Sequence, residues 1–105
     1  MNSQPIVRSI VIRNEQGLHA RPAELFARTA RQFQCRIEII REGRRVAARN
    51  IIDLLTLGAL PGTELTLEAE GDDAEQAVEA LVRLVENGFT DDTNYEQSPA
   101  ITQGE

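Results

Sequence analysis

Lysine and tryptophan are absent from this chain, and cysteine and histidine each occur once among its 105 residues. A lone cysteine, Cys35, excludes an internal disulfide and a cysteine-based metal cluster. Aromatic residues make up only 4%, which argues against a broad platform on which bases could stack. No apolar run is long enough to span a membrane. The first residues, MNSQPIVRSIVIRN, lack a basic segment followed by a long apolar stretch. No secretory signal is therefore read, and a cytoplasmic location is expected. The net charge of -6 argues against general nucleic-acid binding. What remains is 41% hydrophobic and 27% charged, the balance of one small soluble domain.

The charge is uneven. All 11 basic residues are arginine. Residues 1–50 carry 10 Arg and 4 acids, a net +6, whereas residues 51–105 carry 1 Arg and 13 acids, a net -12. Two readings stand side by side: a dipolar surface that steers an acidic partner to the first half, or halves that interleave in the fold and partly cancel.

Short strands alternate with helices along the chain. Ile6 to Arg13 is rich in β-branched residues, with Ile10 and Ile12 on one face. A turn follows at Asn14-Glu15-Gln16-Gly17. From His19 to Phe33 the period becomes helical, with Ala23, Phe26, Ala27, Ala30 and Phe33 on one stripe. Arg36 to Arg41 and Arg44 to Arg49 form two strands joined by Glu42-Gly43. Asn50 is the expected cap of a short helix, Ile51 to Leu57, closed by Gly58. Leu65, Leu67 and Ala69 alternate in a fourth strand. Asp72, with Glu75 completing a capping box, opens a last helix whose stripe is Ala74, Ala77, Val78, Leu81 and Val85. The order β-α-β-β-α-β-α predicts an α+β open-faced two-layer sandwich: a four-stranded antiparallel sheet covered on one face by three helices and wet on the other. Residues 1–89 form the expected domain, and residues 90–105 read as a disordered polar tail.

The chemistry gathers at Gly17-Leu18-His19-Ala20-Arg21-Pro22-Ala23. The first N–H groups of a helix lie ahead of its hydrogen-bond ladder, and the helix dipole adds partial positive charge there. The backbone of Ala20 and Arg21 therefore suits an anion beside His19, and the Arg21 guanidinium matches phosphate oxygens. Pro22 loses no ladder bond in the first turn. Neutral imidazole is a nucleophile near neutral pH and can accept a phosphoryl group. From the residues alone, His19 is either such an acceptor or an ordinary residue at a helix start.

With its order of elements, the block Thr56-Leu57-Gly58 and the block Ala69-Glu70-Gly71, this motif resembles the HPr family, the histidine-containing phosphocarriers of the phosphoenolpyruvate-dependent phosphotransferase system. The resemblance covers roughly residues 6–89. It implies a carrier, not an enzyme in its own right, that takes a phosphoryl group from phosphorylated enzyme I on His19, at Nδ1. The carrier then passes the group to a histidine of an enzyme IIA domain. Arg21 would stabilise the phosphate, and no metal or organic cofactor would be needed. The resemblance further implies a cytoplasmic protein, expected to be monomeric. Many relatives from Gram-positive bacteria open the short helix with a regulatory serine. Here that position is Asn50, which keeps the cap but has no hydroxyl, so serine-type regulation is expected to be absent.

Ile51, Ile52, Leu54, Leu55 and Leu57 put more apolar side chains on the short helix than one face can bury. Leu54 and Leu57 fit core spacing. Ile51, Ile52 and Leu55 are then expected to be exposed on the His19 side as a partner-docking patch rimmed by Arg21 and Arg49. Plain core packing is the other reading. A second class of function on the same fold is a regulatory module that docks to kinases or transcription regulators, or a carrier in a nitrogen-related branch of the system. Cys35 is expected to be a small strand-edge residue without nucleophilic work.

Overall fold

The computed structural model describes residues 4–89, so the tail expected at residues 90–105 lies outside the described residues. The elements are β1 (Ile6–Val11), α1 (Ala20–Ala30), β2 (Arg36–Arg41), β3 (Arg44–Ala47), α2 (Ile51–Leu55), β4 (Glu64–Glu70) and α3 (Ala74–Glu86). The strands form one antiparallel sheet in the order β1-β4-β2-β3. The expected sandwich is the observed fold.

Period-two alternation decides which side of the sheet is covered. Ile10, Ile37, Ile39, Val46, Leu65, Leu67 and Ala69 are all buried. Against them pack Ala23, Phe26, Ala27 and Ala30 of α1 and the whole expected stripe of α3. Removing a side chain such as Leu67 or Leu81 from water contributes about 1.5–3 kcal/mol each. Helix α1 buries more than its stripe: Pro22 and Leu25 are inside as well, because α1 is flanked by both α2 and α3. Phe33 lies beyond the helix and is half-buried against the core.

The opposite face is wet and carries ions. Glu38 and Glu68 sit directly opposite each other across β2 and β4, a like-charge pair that would destabilise the sheet unaided. The Arg45 guanidinium donates to both, at 2.8 and 3.1 Å, and Arg36 pairs with Glu38 at 2.8 Å and Glu70 at 2.7 Å. Arginines of the first half thus neutralise acids of the second. On this face the interleaved reading of the charge asymmetry holds.

Helix ends differ from expectation for reasons seen only in three dimensions. Helix α2 stops at Leu55, before Leu57: the N–H groups of Leu57 and Gly58 bond three residues back, to Leu54 and Leu55, and close the helix in a tighter turn. Arginines take the carbonyls just beyond it. Arg44 donates to the Thr56 carbonyl at 3.0 Å, and Arg41 donates to those of Leu57 at 2.5 Å and Gly58 at 3.1 Å. Cations at a helix C-terminus also complement its dipole. Asp72 does not cap α3. The capping position is Asp73, and no capping box forms there. The Asp73 carboxylate instead accepts from the backbone N–H of Gln34 at 2.8 Å and of Cys35 at 2.9 Å, tying α3 to the start of β2. The bond from Gln34 is the chief reason its carboxyl is held below the usual range.

Candidate functional site

The site is built from the loop that joins β1 to α1. Gly17 has φ +73°, the left-handed region that side-chain-bearing residues avoid. A Cβ there would stand 2.4 Å from the Ala59 carbonyl oxygen and 3.0 Å from Leu60 Cα. Glycine therefore lets two backbones touch, and Leu18 N–H donates to that same Ala59 carbonyl at 2.9 Å. The Leu18 side chain is buried and anchors the turn in the core.

His19 follows as the capping residue of α1, with φ -92° and ψ -166°. Its backbone N–H donates to Gly17 O at 3.0 Å, and its carbonyl accepts the first ladder bond, from Ala23, at 2.9 Å. The imidazole makes no capping bond and is exposed. The sole histidine of the chain thus stands at the electropositive end of a helix with its ring nitrogens turned to no backbone amide of that helix. Ala20 and Arg21 occupy the first turn, ahead of the ladder, as expected. Arg21 is helical although it precedes proline. Its guanidinium lies along the exposed face of α1, 3.1 Å from Glu24, which also pairs with Arg28 at 3.3 Å. Such an exposed pair contributes about 0–1 kcal/mol, so a dianionic phosphate nearby competes with it easily.

Asn50 caps α2 as expected, its side chain accepting from Asp53 N–H at 3.1 Å. The apolar side chains of α2 divide. Leu54 and Leu57 are core, and Ile52 is 67% and Leu55 36% exposed. Ile51 departs from the expectation of exposure: it is half-buried against the core. Arg49 is itself exposed. Its guanidinium donates to the carbonyls of Phe33 and Cys35, beyond the C-terminus of α1. His19 precedes the other end of that helix.

Two residues near His19 escaped the sequence reading. Leu60, 67% exposed, projects from the turn whose backbone abuts Gly17. An apolar residue before Pro61-Gly62 was the only sequence signal for it. Asn14, read as a generic turn residue, donates from Nδ2 to Gly17 O at 2.6 Å. Cys35 is buried, and burial is the first cause that pushes its thiol up to about 11, the direction opposite to a nucleophile. Among the described residues no cluster of His, Cys, Asp and Glu could hold a metal ion, and no helix is long and apolar enough to cross a membrane.

Comparison with known proteins bears on this arrangement. Residues 6–87 match the family described as the PTS HPr component phosphorylation site. The chain is 39% identical over 79 residues to the phosphocarrier protein HPr of Vibrio cholerae, covering 75% of this chain and 93% of that one. It is 37% identical over 87 residues to the multiphosphoryl transfer protein of Haemophilus influenzae, where the match takes in 80% of this chain but spans only 17% of that protein's length. The crystal structure of HPr-C-His from Thermoanaerobacter tengcongensis superposes with a TM-score of 0.78 at 43% identity, covering 80% of this chain and 94% of that one.

Proposed function

Because the chain belongs to the HPr phosphocarrier family of the phosphotransferase system, we propose that His19 accepts a phosphoryl group from phosphorylated enzyme I and passes it to a histidine on an enzyme IIA domain. The observation that carries this reading is the exposed imidazole at the N-terminus of α1, unclaimed by a capping bond and followed two residues later by Arg21. In the first step a lone pair of neutral His19 forms an N–P bond while the bond from phosphorus to the donor atom of enzyme I breaks. In the second step His19 is the leaving group. The positive helix end and Arg21 lower the cost of the charge on the transferring oxygens. A regulatory module on the same fold would not need a reactive histidine, and its presence favours the carrier. Residues 1–89 are taken as the carrier domain, and the carrier is read as a monomer acting in the cytoplasm. With Asn50 in place of a serine, it is read as lacking kinase control at α2.

Incubation with phosphoenolpyruvate and enzyme I, followed by mapping of the acid-labile phosphate, tests the reading. Label on His19 that moves on to an enzyme IIA domain supports it, and absence of label there overturns it. Arg21→Ala should slow transfer by about 10- to 100-fold and change stability by less than about 0.5 kcal/mol. Unchanged transfer would reduce Arg21 to a surface cation.

Docking is read onto Ile52 and Leu55, with Arg49 at the rim, Leu60 added and the half-buried Ile51 withdrawn. The partners must release the carrier, so the patch should be small and the complex transient. Ile52→Asp should weaken binding to enzyme I and enzyme IIA by about tenfold or more, with an unfolding midpoint close to that of the unaltered protein. Titration by calorimetry or NMR reads the first quantity, and equal affinities would remove Ile52 from the interface.

A further inference from the structure

The imidazole of His19 is exposed and makes no capping hydrogen bond, so its position depends on the backbone beneath it. That backbone is held through a two-link relay. The His19 N–H donates to the Gly17 carbonyl at 3.0 Å, and the same carbonyl accepts from Asn14 Nδ2 at 2.6 Å. Asn14 meets Gly17 a second time, its own carbonyl accepting from Gly17 N–H at 3.1 Å. The carboxamide can face Gly17 only with its nitrogen, since two oxygens would otherwise confront each other. Its other end, Oδ1, is buried and has no partner among the described residues. A buried acceptor without a donor costs roughly 1–3 kcal/mol. Of the two ends of the carboxamide, only the donor makes a bond.

We propose that Asn14 is a positioning residue for phosphoryl transfer, fixing the Gly17 peptide so that His19 is held at the start of α1 in the geometry that transfer requires. This rests on the phosphocarrier reading. Transfer is sensitive to placement: a displacement of about 1 Å can cost about a hundredfold in rate. Asn14 touches neither His19 nor the incoming group, and its effect runs through one carbonyl.

Two variants separate the donor from the acceptor. Asn14→Asp keeps an oxygen at the unpartnered position and sets a second oxygen against the Gly17 carbonyl. Asn14→Ala removes both groups and leaves the carbonyl with His19 N–H alone. With both variants folded by circular dichroism, the maximal rate of phosphoryl uptake from enzyme I should fall about 10- to 100-fold in Asn14→Asp and less in Asn14→Ala. The KM for enzyme I should stay within about twofold in each, since the docking side chains are untouched. Hydrogen exchange of the His19 amide, measured without any partner, should quicken in the same order. A rate near that of the unaltered protein in Asn14→Asp would overturn the proposal, as would a loss confined to KM or unchanged exchange at His19. If Asn14→Asp does not fold, Asn14→Ala decides by the same rate and exchange criteria. Failure of the unaltered protein to take phosphate on His19 would instead remove the phosphocarrier reading itself.

Discussion

His19→Ala is expected to abolish phosphoryl acceptance entirely while leaving the protein folded. The two halves of this outcome have separate causes. Acceptance is lost because His19 is the sole histidine of the chain, and no other side chain offers a neutral ring nitrogen to phosphorus. The one thiol, Cys35, is buried and shifted up to about 11, so it does not stand in as a nucleophile. Folding persists because the imidazole contributes no capping bond and is exposed. What His19 gives the fold it gives through its backbone, and alanine supplies the same N–H and carbonyl. A stability change within about 0.5 kcal/mol is expected. Uptake of acid-labile phosphate from phosphoenolpyruvate and enzyme I, with urea unfolding alongside, measures both. Phosphohistidine-like label on the variant would dismiss the assignment of His19.

Gly17→Ala is expected to damage fold and transfer together. Holding alanine in the left-handed region costs about 1–2 kcal/mol. The added methyl would also sit 2.4 Å from the Ala59 oxygen and 3.0 Å from Leu60 Cα. Those are backbone atoms, and they cannot swing aside as a long side chain can. Relieving the overlap means prising the 59–60 segment from the loop and weakening the Leu18–Ala59 bond, at a further cost of about 1–3 kcal/mol. A total near 3 kcal/mol should lower the melting temperature by more than about 10 °C in a domain of this size. Phosphoryl uptake at temperatures where the variant is still folded should also fall, since the displaced loop carries His19. Gly43, where an added Cβ would meet nothing within 4 Å, is the control: Gly43→Ala should cost only the backbone penalty and leave uptake intact. Equal melting temperatures for the two variants would show that the contact with Ala59 carries no weight.

Much of this was legible in the residues, and the reason is periodicity. Leu65, Leu67 and Ala69 declare a strand, and Ala74, Ala77, Val78, Leu81 and Val85 declare a helix face, because burial repeats with the geometry of the backbone. The place of His19 and Arg21 at the start of α1 was legible from the turn before it and the helical period after it, while the role read onto them came from the resemblance to the HPr family. What stayed hidden depends on partners distant in sequence. Asp72 reads as the cap of α3, yet the capping position is Asp73, whose oxygens are taken by amides of Gln34 and Cys35. Arg49 reads as a neighbour of α2 and so of the site, yet its long side chain reaches back to Phe33 and Cys35. Leu25 lies off the stripe of α1 and is buried all the same, because a second helix closes over that side.

The position of β1 at one edge of the sheet has a consequence for how the chain is made. Its sole strand partner is β4, with Ile6 beside Ala69 and Val11 beside Glu64. The first strand of this domain to be made is thus the one whose place does not exist until most of the domain has been synthesised. Hairpin β2–β3 can close locally across Glu42-Gly43, both with positive φ, and α1 can form from its own residues. The β1–β4 ladder must instead wait for a long loop to close, and pairings of that kind dominate the folding time. Until then the apolar strand from Ile6 to Val11 is unpaired, and so is the edge of β4 that will receive it. At the concentration of a crowded polysome, that vacant edge is open to the first strand of a neighbouring nascent chain, and exchange of β1 between copies is the assembly error this topology invites.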